Sequence, residues 1–456
     1  MYLINPSNPL VSIIKIKESR WNRFRVWKPL SLMVLADLIP PDWEISIFDE
    51  NLGVPDYPSL PRPDLVGITA FTSQANRAYE VADHFRHLGV PVVMGGIHAT
   101  ICLDEVMERV DSVVTGEAEG IWHQILEDAR HKGLKRRYDG GLAASTEMPI
   151  SRHDLLDSRY AFGAIQTTRG CPLNCSFCSV SAFNGIHYRQ RSIADVVQEF
   201  KMIREKRVLV VDDNLIGTRP EHIARAKDLF RALAKAEVRK EWVAQATINF
   251  ADDDELLALA AKAGCSGVFI GFESPVPDGL LEIGKKFNLL NGRDFRASVQ
   301  RIQRYNIIVV GSLIIGLDVD KPGIGKHVAE VADRYGVDSL NALFLTPLPG
   351  TRLWEKMKSG DRIALDAFPE DWKYYTLTYP VARYKHLSLD DVLQEMITCN
   401  HTFYSLPRVL RRIWSSVRHY RKPWLSIIGN FSSRGNIRLA HRLYEVYRRQ
   451  VWDKFS

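Results

Sequence analysis

Long hydrophobic runs are missing from this sequence of 456 residues, and its first residues do not predict a secretory leader. No stretch of about 18 or more consecutive apolar residues occurs, which argues against a membrane-spanning helix. Residues 1–6 lack a charged segment followed by a long apolar one, so no secretory signal is predicted. The 46% hydrophobic and 25% charged residues are typical of a globular protein, and a cytoplasmic location is favoured.

Cysteine is scarce, with six residues, and only three of them lie close together. A disulfide framework is a poor interpretation for a cytoplasmic chain of this length. The second Cys-x2-Cys pair that usually completes a structural zinc site is also missing, although three thiols with a distant histidine, or three unrelated buried thiols, stay as alternatives. Cys171, Cys175 and Cys178, spaced Cys-x3-Cys-x2-Cys, are therefore predicted to hold three irons of a 4Fe–4S cluster and leave the fourth open.

Strand-like and helical patterns alternate in two series, which predicts an α/β protein with parallel sheets covered by helices. The strands are predicted at residues 1–5, 44–49, 65–69, 90–94 and 112–115, and then at 164–168, 208–211, 242–248, 267–271, 307–315 and 339–345. The first series predicts a doubly wound parallel sheet. The second predicts a partial or complete parallel β/α barrel with its active site at the carboxyl ends of the strands.

The chain is longer than one ordinary domain of about 100–200 residues. Four segments are predicted: a doubly wound domain at 1–131, a linker at 132–158, the barrel at 159–370, and a helical extension at 371–456. The last segment is basic and aromatic, because residues 401–456 carry twelve Lys or Arg against two acids. Such a tail favours contact with an anionic membrane surface or nucleic acid, or it is the solvated face of a capping helix.

The cysteine segment directly follows the first strand of the second series. It reads Cys171-Pro172-Leu173-Asn174-Cys175-Ser176-Phe177-Cys178. This spacing, with an aromatic residue before the third cysteine, resembles the radical S-adenosylmethionine (SAM) superfamily. The resemblance implies that SAM binds the open iron of a 4Fe–4S cluster and is cleaved to methionine and a 5′-deoxyadenosyl radical. An electron donor such as flavodoxin or ferredoxin is then required.

The same resemblance implies that SAM is bound by the cluster loop and by the carboxyl ends of the barrel strands. The residues expected there are Phe177, Asp213, Gln245, Glu273, Gly316 and Leu348. Gln245 or Glu273 would approach the ribose or the amino group of SAM, and the backbone near Gly316 and Leu348 its adenine. The alternative interpretation is local, with aspartates as helix caps and Gly and Pro residues as turns.

Segments 64–69, 91–100 and 113–120 resemble the cobalamin-binding domain that precedes the barrel in one large radical SAM class. The residues implied in cobalamin binding are Thr69, Thr72, Ser73, Gly95, Gly96, His98, Gly116 and Glu117. The Asp-x-His-x-x-Gly signature of an axial histidine is absent, as it often is in that class. His98 is more readily a hydrogen-bonding residue than an axial ligand, and the domain could keep the fold without binding a corrinoid.

Several functions fit these resemblances. The first is a cobalamin-dependent methyltransferase acting on an unactivated carbon of a large apolar or polycyclic molecule. The second is a cyclase or oxidase of a tetrapyrrole-like or lipid-like substrate that uses both cofactors. A tRNA-modifying enzyme and a non-catalytic metal-binding protein are further alternatives. An apolar small-molecule substrate and peripheral contact with the inner face of the membrane are the expected partners, and nucleic acid is less favoured.

Overall fold

The computed structural model describes residues 1–8, 10, 27–143, 148–156, 159–419 and 424–455. Two six-stranded parallel sheets follow one another along the chain, and a helical extension comes last. The predicted α/β class, with a doubly wound sheet followed by a barrel-like one, is therefore confirmed. No helix in the described ranges is both long enough and apolar enough to cross a membrane.

The first sheet is parallel at every pair of neighbouring strands. Its strands are β1 (Tyr2–Asn5), β2 (Ser46–Asp49), β3 (Val66–Thr69), β4 (Val92–Gly95), β5 (Ser112–Thr115) and β6 (Arg137–Asp139). They lie in the order β2-β1-β3-β4-β5-β6. The first five were predicted. The edge strand β6 lies within the segment predicted as a linker, of which residues 144–147 and 157–158 are outside the described ranges.

Five helices cover this sheet, because its central strands are buried on both faces and need apolar cover. They are α1 (Leu30–Asp37), α2 (Ala75–His87), α3 (Ile97–Ile101), α4 (Leu103–Arg109) and α5 (Trp122–Arg130). In α2 the buried residues Ala78, Ala82 and Phe85 recur at helical spacing and form the face that packs on the sheet. The helix α3 begins at Gly96, whose φ of 93° ends β4 in a sharp turn.

The second sheet is also parallel throughout. Strands after the first sheet are β7 (Gly163–Ile165), β8 (Thr168–Arg169), β9 (Arg189–Gln190), β10 (Arg207–Val210), β11 (Glu241–Ala246), β12 (Cys265–Glu273), β13 (Ile308–Ile315) and β14 (Ser339–Phe344). The sheet order is β7-β10-β11-β12-β13-β14, and β8 pairs with β9 as a separate antiparallel ribbon. Within the described ranges β7 and β14 are both edge strands, so the barrel is partial.

The strand predicted at 164–168 is shorter in the structure and ends at Ile165. The reason is the Asp212 carboxylate, which accepts hydrogen bonds from the Thr167 amide at 2.6 Å and from the Thr167 hydroxyl. The Asp212 side chain therefore bonds the Thr167 amide, which a neighbouring strand would otherwise bond. The chain leaves the sheet at that point and forms β8 with the turn toward the cysteines.

Helices separate the strands of the barrel. They are α6 (Ser179–Asn184), α7 (Ile193–Met202), α8 (Pro220–Lys235), α9 (Asp254–Lys262), α10 (Pro277–Glu282), α11 (Phe295–Gln303), α12 (Ile324–Tyr335) and α13 (Arg352–Ser359). Side-chain caps fix where four of them begin, because Ser192, Asp253, Asp294 and Thr351 each accept a hydrogen bond from a backbone amide of the first turn.

The described residues of the extension form three α-helices: α14 (Leu389–Phe403), α15 (Leu406–His419) and α16 (Trp424–Phe455). The helical character predicted for 371–456 is present, and Arg421 and Lys422 of its basic tail lie outside the described residues. The segment before these helices packs against the first domain.

Three hydrogen bonds make that contact between the first domain and the segment around Trp372. The Trp372 indole donates to Glu105 at 3.0 Å. The Asn8 amide donates to the Lys373 carbonyl at 3.0 Å, and the Asn76 amide to the Pro369 carbonyl at 2.9 Å. The first domain is therefore completed by hydrogen bonds to residues 369–373, which lie more than 250 positions later in the sequence.

Candidate active site

The three clustered cysteines occupy the loop between β8 and α6. Cys175 is buried, whereas Cys171 and Cys178 are half-buried. Burial raises the pKa of all three thiols, that of Cys175 to about 12. Metal-free thiols here therefore keep their protons at neutral pH, and iron must displace those protons to bind.

This donor set fits a 4Fe–4S cluster better than a single metal ion. In the part of the chain that the structure describes, no three His, Cys, Asp or Glu side chains converge on one ion position. A cubane does not need such convergence, because each thiolate ligates a different iron and the cluster body separates the sulfurs. The other cysteines lie elsewhere, Cys102 before α4, Cys265 on β12 and Cys399 in α14. Cys171, Cys175 and Cys178 would therefore hold a cluster through three of its irons, which stays a prediction.

Polar residues after β10 hold the start of the cysteine loop. The Gly170 amide donates to the Asp213 carboxylate at 3.0 Å, and the Asn214 side-chain amide lies 3.8 Å from the Cys171 sulfur. Burial raises the pKa of Asp213 to about 6. Asp213, which the family resemblance assigned to SAM, is thus placed at the cluster loop, and its contact with SAM stays a prediction.

The middle of the loop is fixed from the opposite side of the barrel. The Ser176 amide donates to the Ile283 carbonyl at 3.0 Å, and the Ser176 carbonyl accepts from the Leu353 amide at 2.9 Å. Both partners of Ser176 belong to connections that follow barrel strands. These two hydrogen bonds therefore fix the backbone of the ligand loop relative to β12 and β14.

A buried ion pair faces the three thiols. Lys285 Nζ lies 2.7 Å from Glu273 Oε1, and both side chains are at least nine-tenths buried. Burial opposes the charge of Lys285, but the Glu273 carboxylate, together with Cys175 and Cys171, outweighs burial and raises the pKa of Lys285. The positive charge also acts on all three thiols and favours their thiolate forms. Lys285 therefore offsets part of the negative charge that three thiolates bring into this buried place.

Sequence reasoning selected Glu273 and missed Lys285. Glu273 ends β12, a position where polar side chains of barrels reach the site, and its φ of 67° marks a turn. Lys285 lies in the irregular connection after α10, where no periodic pattern identifies an inward-facing residue. The signal that the sequence offered was a lysine, Lys285, 12 positions after the acidic residue that ends β12.

The other predicted SAM residues lie at the same end of the barrel. Gln245 is exposed near the end of β11, and Phe177 and Leu348 are half-buried. Gly316 directly follows β13 with a φ of 106°, and a Cβ added there would lie 2.5 Å from the Tyr384 ring. No bulkier residue fits at Gly316. The structure brings these residues to one rim, and their contacts with SAM stay predictions.

Around β3 and β4, the carboxyl edge of the first sheet is built from small, uncharged residues. Thr69 ends β3 and Gly95 ends β4. A Cβ added at Gly96 would meet Thr69 Oγ1 at 2.8 Å and the Ala70 backbone nitrogen at 3.1 Å, so the backbone passes close there. Thr72 is buried and Ser73 half-buried in the next turn. This is a surface that a flat macrocycle with a polar tail could approach without displacing large side chains.

His98 points into the protein and belongs to a hydrogen-bonded network. It has no exposed surface, and its Nε2 lies 2.8 Å from the Tyr79 hydroxyl. That hydroxyl donates to Glu105 at 2.6 Å, and Glu105 also accepts from Trp372. The bonds from His98, Tyr79 and Trp372 overcome burial and lower the pKa of Glu105. These contacts give His98 the hydrogen-bonding role that the sequence favoured; a direct role in cobalamin binding stays a prediction.

Glu117 connects the two sheets. It follows Gly116 after β5, and its carboxylate lies 3.1 Å from the guanidinium of Arg169 and 2.5 Å from that of Arg189. Arg169 also contacts Glu119 at 2.5 Å. Arg169 stands two residues before Cys171 and is largely buried. The loop after β5 is therefore joined to the base of the cluster loop, a contact that sequence reasoning missed because it gave no pairing between the series.

Comparisons with known proteins agree with this two-part site. The family model described as the radical SAM superfamily matches residues 165–331, and the model described as the B12 binding domain matches residues 27–126. The cysteine loop lies inside the first match, and the small-residue edge of the first sheet inside the second. A radical SAM domain uses SAM and a 4Fe–4S cluster, and a B12 binding domain uses cobalamin.

Three curated relatives span most of the chain. The bacteriochlorophyllide d C-12(1)-methyltransferase of Chlorobaculum tepidum is 29% identical over 402 residues, which cover 84% of each chain. The hopanoid C-2 methylase of Rhodopseudomonas palustris is 26% identical over 348 residues, covering 74% of this chain and 66% of that protein. The anaerobic magnesium-protoporphyrin IX monomethyl ester cyclase of Rubrivivax gelatinosus is 22% identical over 429 residues, covering 86% and 74%.

A solved structure has the same fold. The cobalamin-dependent SAM radical enzyme OxsB with aqua-cobalamin bound matches with a TM-score of 0.67 at 16% identity, covering 97% of this chain and 72% of that one. The order of the two domains, the cysteine loop at the end of the first barrel strand and the small-residue edge of the first sheet all agree with these matches. The chain belongs to the radical SAM enzymes that carry an N-terminal B12-binding domain.

Proposed function

We propose that this enzyme is a cobalamin-dependent methyltransferase that methylates an unactivated carbon of a large apolar or polycyclic molecule. The observation that carries the proposal is the junction of the two carboxyl edges through Glu117 and Arg169. Since ligands bind at the carboxyl ends of parallel strands, that junction supports a corrinoid site beside the cluster loop. Proximity of the two cofactor sites is what methyl transfer to a substrate radical requires.

An unactivated carbon is neither acidic nor nucleophilic, so general acid–base groups have no means of attacking it. When bound, the cluster with SAM would supply hydrogen abstraction, and cobalamin would supply the methyl group. Cys171, Cys175 and Cys178 would hold the cluster through three irons. The edge around Thr69, Gly95 and Gly96 would hold the corrin.

The remaining residues of the site would position these groups. Lys285, held in place by Glu273, would keep a positive charge beside the thiolates in a site that excludes solvent. Asp213 would fix the loop through the Gly170 amide. The half-buried Phe177 stands between Cys175 and Cys178 in the sequence, and its ring packs on the apolar core. It would therefore shield the cluster from water.

Support for the substrate class comes from the relatives. By their names, two of them methylate a bacteriochlorophyllide and a hopanoid, which are both large, mostly apolar polycycles. The exposed Gln245 and the half-buried Leu348 leave a rim of mixed polarity at the barrel end. A flavodoxin-like or ferredoxin-like electron donor, and contact of the C-terminal tail with the inner face of the membrane, complete the proposal.

The test is an anaerobic assay of the chain reconstituted with iron, sulfide and hydroxocobalamin. SAM with a deuterated methyl group would be supplied with a bacteriochlorophyllide and, separately, with a hopanoid. We expect 5′-deoxyadenosine, S-adenosylhomocysteine and a product that carries the deuterated methyl group. A matched reaction without hydroxocobalamin should give no methylated product.

The cyclase or oxidase reaction is the second candidate, favoured by the similarity to the Rubrivivax cyclase over most of the chain. A product that has lost hydrogen or gained oxygen, with 5′-deoxyadenosine but no deuterated methyl group, would replace the methyltransferase proposal by this one. Methylation that persists without corrinoid would remove cobalamin from the reaction.

A further inference from the structure

The buried face of α15 uses its basic residues for internal contacts. Arg412 is buried, lies 3.0 Å from the Asp333 carboxylate and donates to the Phe403 carbonyl at 2.7 Å. Arg408 contacts the same aspartate at 2.6 Å. On the same face, Ser416 lies 3.3 Å from the carboxylate of Asp338. These contacts anchor α15 to the barrel, and these two arginines are not available to an outside partner.

The opposite face of α15 is apolar and exposed. Leu406, Leu410, Trp414 and Val417 are 46%, 53%, 67% and 53% exposed. They recur every three or four residues, which places them in one stripe along the helix. Four large apolar side chains lined up in this way are unusual on a surface that faces water and indicate an interaction site. We name this stripe the α15 face.

The exposed charged side chains of α15 itself are positive. Arg411 and Arg418 are exposed on this helix, and the Arg411 side chain is 67% exposed although its guanidinium lies 3.7 Å from the Asp333 carboxylate. In the sequence, residues 396–444 contain nine Lys or Arg and no Asp or Glu. A partner that meets this face must therefore accept apolar side chains and positive charge together.

We propose that the α15 face docks on an anionic phospholipid bilayer, with the helix lying in the plane of the interface. This inference rests on the membrane contact in the proposed function and deepens it, and it does not depend on methyl transfer. Aliphatic side chains enter the acyl boundary, a tryptophan suits the headgroup level, and arginines meet the phosphates. Nucleic acid is a poorer match, because single strands bind through several stacked aromatic rings, and Leu406, Leu410 and Val417 offer none.

The position of α15 sets the orientation of the docked enzyme. Asp338, which contacts α15, directly precedes β14. The cysteine loop lies at the other, carboxyl end of these parallel strands. Docking through the α15 face therefore turns the barrel mouth and the corrinoid edge away from the bilayer, toward the electron donor and the aqueous side.

The test uses full-length protein and vesicles of phosphatidylglycerol mixed with phosphatidylcholine. We expect cosedimentation with the mixed vesicles, weaker binding to phosphatidylcholine alone, and loss of affinity by about tenfold or more in Leu410→Ser/Trp414→Ser. The matched control is Val446→Ser, because Val446 is an aliphatic residue of α16 with 53% exposure that lies outside the α15 face. It should bind like the wild type.

A second measurement covers the case in which the double variant folds poorly. Trp414→Phe keeps the apolar surface, so it should bind the vesicles normally while losing part of the fluorescence quenching by brominated lipids. Unchanged quenching in Trp414→Phe, or vesicle binding by Leu410→Ser/Trp414→Ser equal to that of the wild type, would overturn the proposal. Binding of a short RNA with no binding of vesicles would replace the bilayer by nucleic acid.

SAM cleavage measured in buffer separates this inference from the proposed function. The double variant should cleave SAM like the wild type, because α15 lies at the end of the barrel opposite to the cluster loop. Normal vesicle binding by an enzyme that does not methylate would remove the methyltransferase proposal and leave docking intact.

Discussion

The two sheets are alike in architecture and different at their carboxyl edges. Each has six parallel strands. The barrel edge carries buried charges, with Lys285 paired to Glu273 and Asp213 bonded to the cluster loop. The edge of the first sheet is small and uncharged at its centre, around Thr69, Gly95 and Gly96, and its buried carboxylates follow β2 and β5.

This difference teaches how one architecture serves two ligands. A metal cluster with thiolate ligands concentrates charge, so its site needs buried groups that offset charge and fix a loop. A corrin ring is broad and flat, so its site needs backbone that lies close and no large side chains. Glu117 and Arg169 then join the two edges.

The largest effect is expected from removing the cluster ligands. Cys171→Ala/Cys175→Ala/Cys178→Ala should lose the visible absorption of the cluster and all SAM cleavage, because no other cysteine lies in that loop. Corrinoid binding, measured by absorption after gel filtration, should be unchanged. If the variant loses corrinoid binding together with the cluster, the two edges do not bind their cofactors independently.

The converse change is Gly96→Val at the first sheet. Its Cβ would approach Thr69 Oγ1 to 2.8 Å at a φ of 93°, so the edge must distort and corrinoid binding should fall sharply. The cluster should assemble normally. Gly323→Val is the control, because Gly323 has a similar φ of 99° and nothing within 4 Å of its added Cβ. If both variants lose corrinoid equally, backbone strain and not the close approach is the cause.

Lys285→Met should destabilise the protein by about 3–5 kcal/mol, because it leaves the buried Glu273 carboxylate without its partner. Denaturant unfolding of the metal-free protein measures this. The double variant Lys285→Met/Glu273→Gln should recover part of the loss. The control Lys326→Met removes an exposed partner at 3.9 Å and should cost less than about 1 kcal/mol. If Lys285→Met lowers the free energy of unfolding by an equally small amount, the buried ion pair does not set the barrel edge apart from the edge of the first sheet.

The smallest effect is expected at the junction. Arg169→Ala should cost about 1.5–3 kcal/mol, since Glu117 keeps Arg189 as a partner while Glu119 loses its charged one. We expect SAM cleavage to continue while corrinoid-dependent product falls, because the two edges lose their fixed relation. Arg152→Ala, which breaks an exposed pair with Asp154, is the control. Equal loss of cleavage and product would mean that Arg169 only supports the cluster loop.

Much of the fold was predictable because the strands are short apolar runs with polar residues at their carboxyl ends. β4 and β13 are examples, with nearly every residue buried. β6 was not predicted, since Arg137-Tyr138-Asp139 has only one buried side chain. Cys171, Cys175 and Cys178 could be proposed as cluster ligands from their spacing and their position after a strand, and their ligation of iron stays a prediction.

Other parts of the site depend on contacts that one sequence does not contain. Arg169 lies in the predicted motif, but its partners Glu117 and Glu119 are some 50 positions away, and nothing in the sequence pairs them. The same holds for the burial of His98, which depends on Tyr79 and on Trp372 from the extension.

The hydrogen bonds of Asn8, Asn76 and Glu105 to the segment around Trp372 have a consequence for synthesis. The first domain leaves the ribosome long before residues 369–373 are translated. Until then three buried or half-buried polar groups of that domain lack their native partners, which weakens it. We therefore expect the nascent first domain to acquire its full protease resistance only after the barrel and residues 369–373 have been made.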